Sequence, residues 1–193
     1  RSHKLVVSYI VLAAVSILFM AQIKMRRKNF LAISLKVFCF AAVSVFAYGF
    51  YESWNQYLVW QSSGPPAEYF LPPHRGISYF LGYSFYQFFF DNAVSFSAAL
   101  IFLLSAAALN KLFGERFFEK REPYLGATCL FLAGHPLWLF YVPLVFVSSF
   151  LAVSFYLVTA KKNARLPLYY FWLPAALIIL LIKILQSYEA TAS

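Results

Sequence analysis

Gly114-Glu115-Arg116-Phe117-Phe118-Glu119-Lys120-Arg121-Glu122-Pro123-Tyr124 is a charged stretch with a long apolar run on either side. It holds three of the chain's seven acidic residues and three of its sixteen cations. The run that follows, 125–160, is too long for one crossing, because a bilayer core takes about 20 helical residues. Gly134-His135-Pro136 divides it into a short helix over 123–133 and a full span over 137–160. Pro123 suits the first turn of that short helix, and Glu122 suits its positive end. At 1.5 Å per residue the short helix covers ~18 Å, against a core of ~30 Å. It therefore stops short, tilts with local thinning, or is shielded by neighbours.

Composition sets the solvent. The chain has 193 residues, 62% hydrophobic and only 12% charged. Soluble domains carry about 25% charged residues, so this much apolar surface has to face lipid. The net charge of +9 does not indicate nucleic acid, because the cations sit in short loops between apolar segments. Cys39 and Cys129 both fall inside apolar runs, which suits core or lipid-facing thiols better than a disulfide or metal site.

The remaining spans fall at 5–23, 30–50, 93–113 and 166–186. Residues 5–23 read as a true span rather than a signal sequence, since Lys24-Met25-Arg26-Arg27-Lys28-Asn29 stops them. Residues 51–92 read as an aromatic, Pro-rich interfacial loop, with Trp54 and Trp60 at headgroup level. Its part 79–90 either lies in the interface or extends a tilted span, and Asp91-Asn92 signals a helix start. Stretches 24–29, 111–122 and 161–165 carry four, four and three cations, whereas 51–78 carries only Arg75. The positive-inside rule puts the three basic stretches on the cytoplasmic side. Parity then requires six membrane segments, the short helix among them, with both termini on the non-cytoplasmic side of an inner or plasma membrane. The predicted fold is one domain, an all-α polytopic membrane helical bundle.

Candidate chemistry is sparse. Glu115, Glu119 and Glu122 read first as a self-paired loop that fixes topology, and second as an acid/base or cation site at a cytoplasmic boundary. Glu115 and Glu119 are four apart and share a helix face. Lys24, Arg26, Arg27, Lys28, Arg116 and Arg121 are candidate contacts to lipid or partners. Trp54, Trp60 and His135 join them at the other face. Asp91 reads as a helix cap. No metal-ligand spacing, phosphate-binding glycine motif or nucleophile elbow is present, and no pattern names a cofactor.

From about 114 to 184 the layout resembles the second half of the prepilin peptidase family, the GxGD-type membrane aspartic peptidases. Glu122-Pro123-Tyr124-Leu125-Gly126-Ala127 opens the short helix, Gly134-His135-Pro136 ends it, and Arg165-Leu166-Pro167-Leu168-Tyr169-Tyr170 opens the last span. The family's Gly-x-Gly-Asp is missing, and Glu122 is the acid nearest its aspartate. The second catalytic aspartate has no counterpart, since Asp91 falls on the opposite side. The resemblance implies a relative without that two-carboxylate chemistry.

Three functions fit these observations. The first is a non-catalytic subunit or assembly factor of a membrane complex, with the bilayer and other membrane proteins as partners. The second is a divergent peptidase-like enzyme that uses Glu122. The third is a small transporter or lipid-handling protein.

Overall fold

The computed structural model describes residues 2–114, 118–119, 122–160 and 168–192. Glu115, Arg116 and Arg121 of the central charged stretch lie outside them, so the expected face shared by Glu115 and Glu119 does too. The described chain is helical, with no strand among its residues. The helices are α1 (Ser2–Lys24), α2 (Arg27–Ser62), α3 (Ile77–Ser84), α4 (Phe90–Leu112), α5 (Glu122–Ala133), α6 (Trp138–Ala160) and α7 (Tyr169–Ala192). Four stretches are long and apolar enough to cross a membrane: Asn29–Ser62, Ile77–Leu112, Trp138–Thr159 and Tyr169–Gln186, with Ser8–Lys24 a shorter apolar helix. This is a helical membrane bundle.

The short helix is the centre of the bundle. Ten of the twelve residues of α5 are buried, so neighbours shield it on every side. It packs against α2, α4, α6 and α7, while α1 lies outside on α7. A helix that is apolar all round belongs in a protein interior. Left-handed glycines stop the chain at both flanks of this region, Gly114 (φ 63°) after α4 and Gly134 (φ 78°) after α5.

Around α5 the long helices form a fork. α2 and the α3–α4 helix run antiparallel along a seam of rings. Phe38 stacks on Phe96 at 5.9 Å, Phe50 meets Phe89 at 4.9 Å, and Tyr57 meets Phe80 at 5.3 Å. Near the base α5 separates them, and its Phe131 touches both Phe38 (6.4 Å) and Phe96 (5.7 Å). Beyond Phe131 the two helices close on each other. Gly49 permits this closure, since a Cβ there would stand 3.0 Å from the Phe89 ring.

A π-helical segment, Phe85–Phe89, joins α3 to α4 without a break. At 100° per residue a regular helix would set Phe96 about 160° around from Phe80. The π turn takes up about one extra residue and returns much of that rotation. Phe80 and Phe96 thereby both face α2.

Two expectations are corrected. Residues 51–92 are not an interfacial loop. α2 continues to Ser62 and a helix resumes at Ile77, which leaves 63–76 with one 3-10 turn, Ala67–Phe70. The break at 51 followed from bilayer thickness, but no proline or glycine occurs between 51 and 63 to end the helix. The stretch 79–90 extends the span. Asp91 is not a helix cap, because the helix passes through it. Its carbonyl accepts from Ser95 Oγ (2.7 Å), and Asn92 Nδ2 donates back to the Phe88 carbonyl (3.0 Å).

Candidate functional site

The three basic stretches flank helix ends that meet at one end of the bundle. Gln22, near the end of α1, donates from Nε2 to the Tyr169 carbonyl at the start of α7 (2.7 Å). Phe30, near the start of α2, packs edge-on against Tyr169 at 6.0 Å. Asn110, near the end of α4, clamps the backbone of Phe118. Its Nδ2 donates to the Phe118 carbonyl (2.9 Å) and its Oδ1 accepts from the Phe118 N–H (3.0 Å). The clamp draws Phe118 inward, where its ring meets Phe102 (6.1 Å) and Trp172 (6.5 Å).

Glu122 stands at the root of α5 and is 2% exposed. Burial of a carboxyl requires hydrogen-bond partners. Oε1 accepts from the Trp172 indole N–H (3.2 Å) and Oε2 from the Glu119 N–H (3.0 Å). The Glu122 N–H in turn donates to the Glu119 carbonyl (2.9 Å). This reciprocal pair resembles the glutamate half of a capping box, and the acid sits at the positive end of the helix dipole. Glu119 itself is exposed. Glu122 is therefore a buried acid held between two helices.

Above it the site is filled with rings. Trp172 is fully buried, and its ring meets Phe102 at 5.4 Å and Tyr141 at 6.3 Å. Gly126 makes room for them. A Cβ there would lie 2.8 Å from Phe102 and 3.2 Å from Trp172. Tyr141, from α6, donates its hydroxyl to the Trp172 carbonyl (3.0 Å). The Cys129 thiol is buried and free. Cys39 faces outward.

At the far end of α5 the geometry is different. A Cβ on Gly134 would stand 2.9 Å from Lys183 Nζ. Lys183 is half-buried and sets its ammonium at the negative end of α5. With Trp172 beside Glu122 and Lys183 beside Gly134, α7 runs parallel to α5. His135 is half-buried, and its Nδ1 has no hydrogen-bond partner among the described residues.

The remaining expected contacts divide. Lys24 and Arg26 are exposed at the basic end. Arg27 and Lys28 open α2, with side chains outside those described. Trp54 is 62% exposed beyond the fork. Trp60 is a packing residue instead, set among Phe70 (5.7 Å), Phe80 (5.6 Å) and Tyr83 (4.7 Å). Arg75 closes that cluster, its guanidinium 4.6 Å from the Tyr79 ring. No group of three His, Cys, Asp or Glu that could hold a metal occurs among the described residues.

Sequence reasoning missed Trp172, Asn110 and Gly126. Trp172 lies one turn into its helix, where a tryptophan reads as an interfacial anchor. The signal for Gly126 was available, since a glycine in a helix apolar on all sides marks a close approach. Comparison with protein-family models, curated proteins and solved structures finds no match.

Proposed function

We propose that this protein is a non-catalytic subunit or assembly factor of a membrane complex, presenting the closed end of its helical fork to a partner. The observation that supports this is the arm formed by 51–62 and 77–92. At 1.5 Å per residue these stretches add ~18 Å and ~24 Å beyond the spans needed to cross a bilayer. The arm is stiffened by the Trp60 cluster, yet Tyr51, Trp54, Leu81 and Tyr86 stay exposed, Tyr86 at 73%. Beside them lies a shallow, open hollow lined by Ser78, Tyr79, Gly82, Tyr83, Tyr86 and Gln87. Rigid aromatic residues around a hollow are the usual anchors of a protein interface.

In this reading the basic end faces the cytoplasm and the arm faces the other side, with both termini on the arm's side. A membrane-impermeant thiol reagent applied to Met25→Cys tests the orientation, and labelling from outside the cell would reverse it. Partner binding is tested by purifying tagged protein from native membranes in mild detergent. Stoichiometric co-elution of other membrane chains, lost in Trp54→Ala/Tyr86→Ala, supports the subunit reading. A wild-type protein that elutes alone at its own mass removes it.

A second reading, the divergent peptidase-like enzyme, draws on the buried Glu122 and on the helix order α5–α6–α7. It needs a second carboxyl within proton-sharing reach of Glu122. Cleavage of a membrane-anchored substrate that stops in Glu122→Gln, with complex assembly intact, would select it over the first.

A further inference from the structure

The groove between α4 and α5 at the basic end has no role in the arm's proposed interface. It is a half-open groove of about 460 Å³, lined by Leu103, Leu104, Ala107, Pro123 and Tyr124, with Asn110 and Lys111 at one end. Leu104, Ala107 and Lys111 are exposed, so the groove opens on the outside of the bundle. From Leu103 to Lys111 it runs about 12 Å along the helix. Its apolar wall thus ends at a cation in the last turn of α4. The Asn110 amide is already engaged with Phe118, which leaves the Lys111 ammonium as the charged group at that mouth.

We infer that this groove is a binding site for an anionic phospholipid, an acyl chain lying along Leu103, Leu104 and Ala107 and the phosphate meeting Lys111. The chemistry selects this occupant. A mainly apolar wall facing lipid accepts a hydrocarbon chain. A cation where that wall reaches the basic end rewards a negative headgroup over a zwitterionic one. The packing that creates the groove is local. Pro123 and Tyr124 belong to a helix that starts inside the bundle, so they form a wall beside the last turns of α4.

Native mass spectrometry of the full chain, purified with equimolar phosphatidylglycerol and phosphatidylcholine, tests the site. Wild-type protein should retain phosphatidylglycerol about fivefold over phosphatidylcholine, the preference one interfacial cation confers. Lys111→Gln should bring that ratio close to one while keeping the total lipid bound. Ala107→Phe, which fills the groove from its exposed side, should lower retention of both lipids. Equal retention by wild type, an unchanged ratio in Lys111→Gln, or unchanged retention in Ala107→Phe would each overturn the inference. So would loss of the anionic preference to free glycerol phosphate, which would make the ligand a soluble phosphate ester.

Discussion

The short helix α5 and the aromatic arm are both strongly apolar, yet they do opposite things. α5 is buried on all sides, with an acid at one end and an ammonium at the other. The arm is longer, holds more rings, and leaves many of them exposed. The difference lies in what each part packs against. α5 enters the fork between α2 and α4 and meets α7 behind, so nearly every face finds a protein surface. In the arm the same two helices meet only each other and the turn at Ala67–Phe70, and their outer faces stay uncovered. Apolar composition alone therefore does not define an interior; the number of neighbours does.

That comparison can be broken by substitution. Trp172→Ala should have the largest effect, since it removes a fully buried ring from the junction of α4, α5, α6 and α7. Stability should fall by about 3–5 kcal/mol, read as thermal unfolding in detergent. Trp54→Ala in the arm should stay within about 0.5 kcal/mol. Equal losses at the two tryptophans would mean that the arm is as structural as the centre.

Glu122→Ala should follow. It leaves the buried Trp172 indole N–H without an acceptor, at about 1–3 kcal/mol, and frees the N–H of the exposed Glu119. Glu122→Gln keeps an oxygen in place and should lose clearly less. A Gln variant as unstable as the Ala variant would show that the charge, not the acceptor, holds the root of α5.

The glycine pair gives a smaller and more discriminating contrast. Gly126→Ala places a methyl against Phe102 and Trp172 and should cost about 1–3 kcal/mol. Gly82→Ala meets nothing within 4 Å. There helix propensity alone acts, and stability should rise by up to about 1 kcal/mol. Opposite signs at two helical glycines would sharpen the contrast between centre and arm; a gain at Gly126 would remove it.

A loss smaller than at Trp172 is expected at Asn110. Asn110→Ala releases both hydrogen bonds to Phe118 and should cost about 1–2 kcal/mol in unfolding. Hydrogen exchange of the Phe118 amide would rise, while the amides of the arm would stay unchanged.

Much of the fold was legible because helices in lipid must satisfy their own backbone. Long apolar runs, basic stops and the Gly134-His135-Pro136 break were enough to place the all-α bundle and the short helix. Boundaries set by bilayer thickness were less secure. The helix ends at 50 and 93 failed, because a helix stops at a proline, a glycine or a cap rather than at a membrane surface. Residues between 51 and 62 offered none of these. The candidate site was half legible. Glu122 stood out as an acid before a proline and an apolar run. Its indole partner is fifty residues away, and nothing local marks such a pairing.

By itself, then, the sequence determined the solvent, the helical class and the stretch from Gly114 to Tyr124 as the entry to a short helix. Hydropathy and helix-stop residues act locally, so a linear reading captures them. Only the tertiary structure decided that this helix is the core and that Lys183 meets its far end. Only the tertiary structure showed, too, that the supposed loop is a two-helix arm. Those outcomes depend on which surfaces meet across fifty or more residues, and the geometry of that meeting is set by packing.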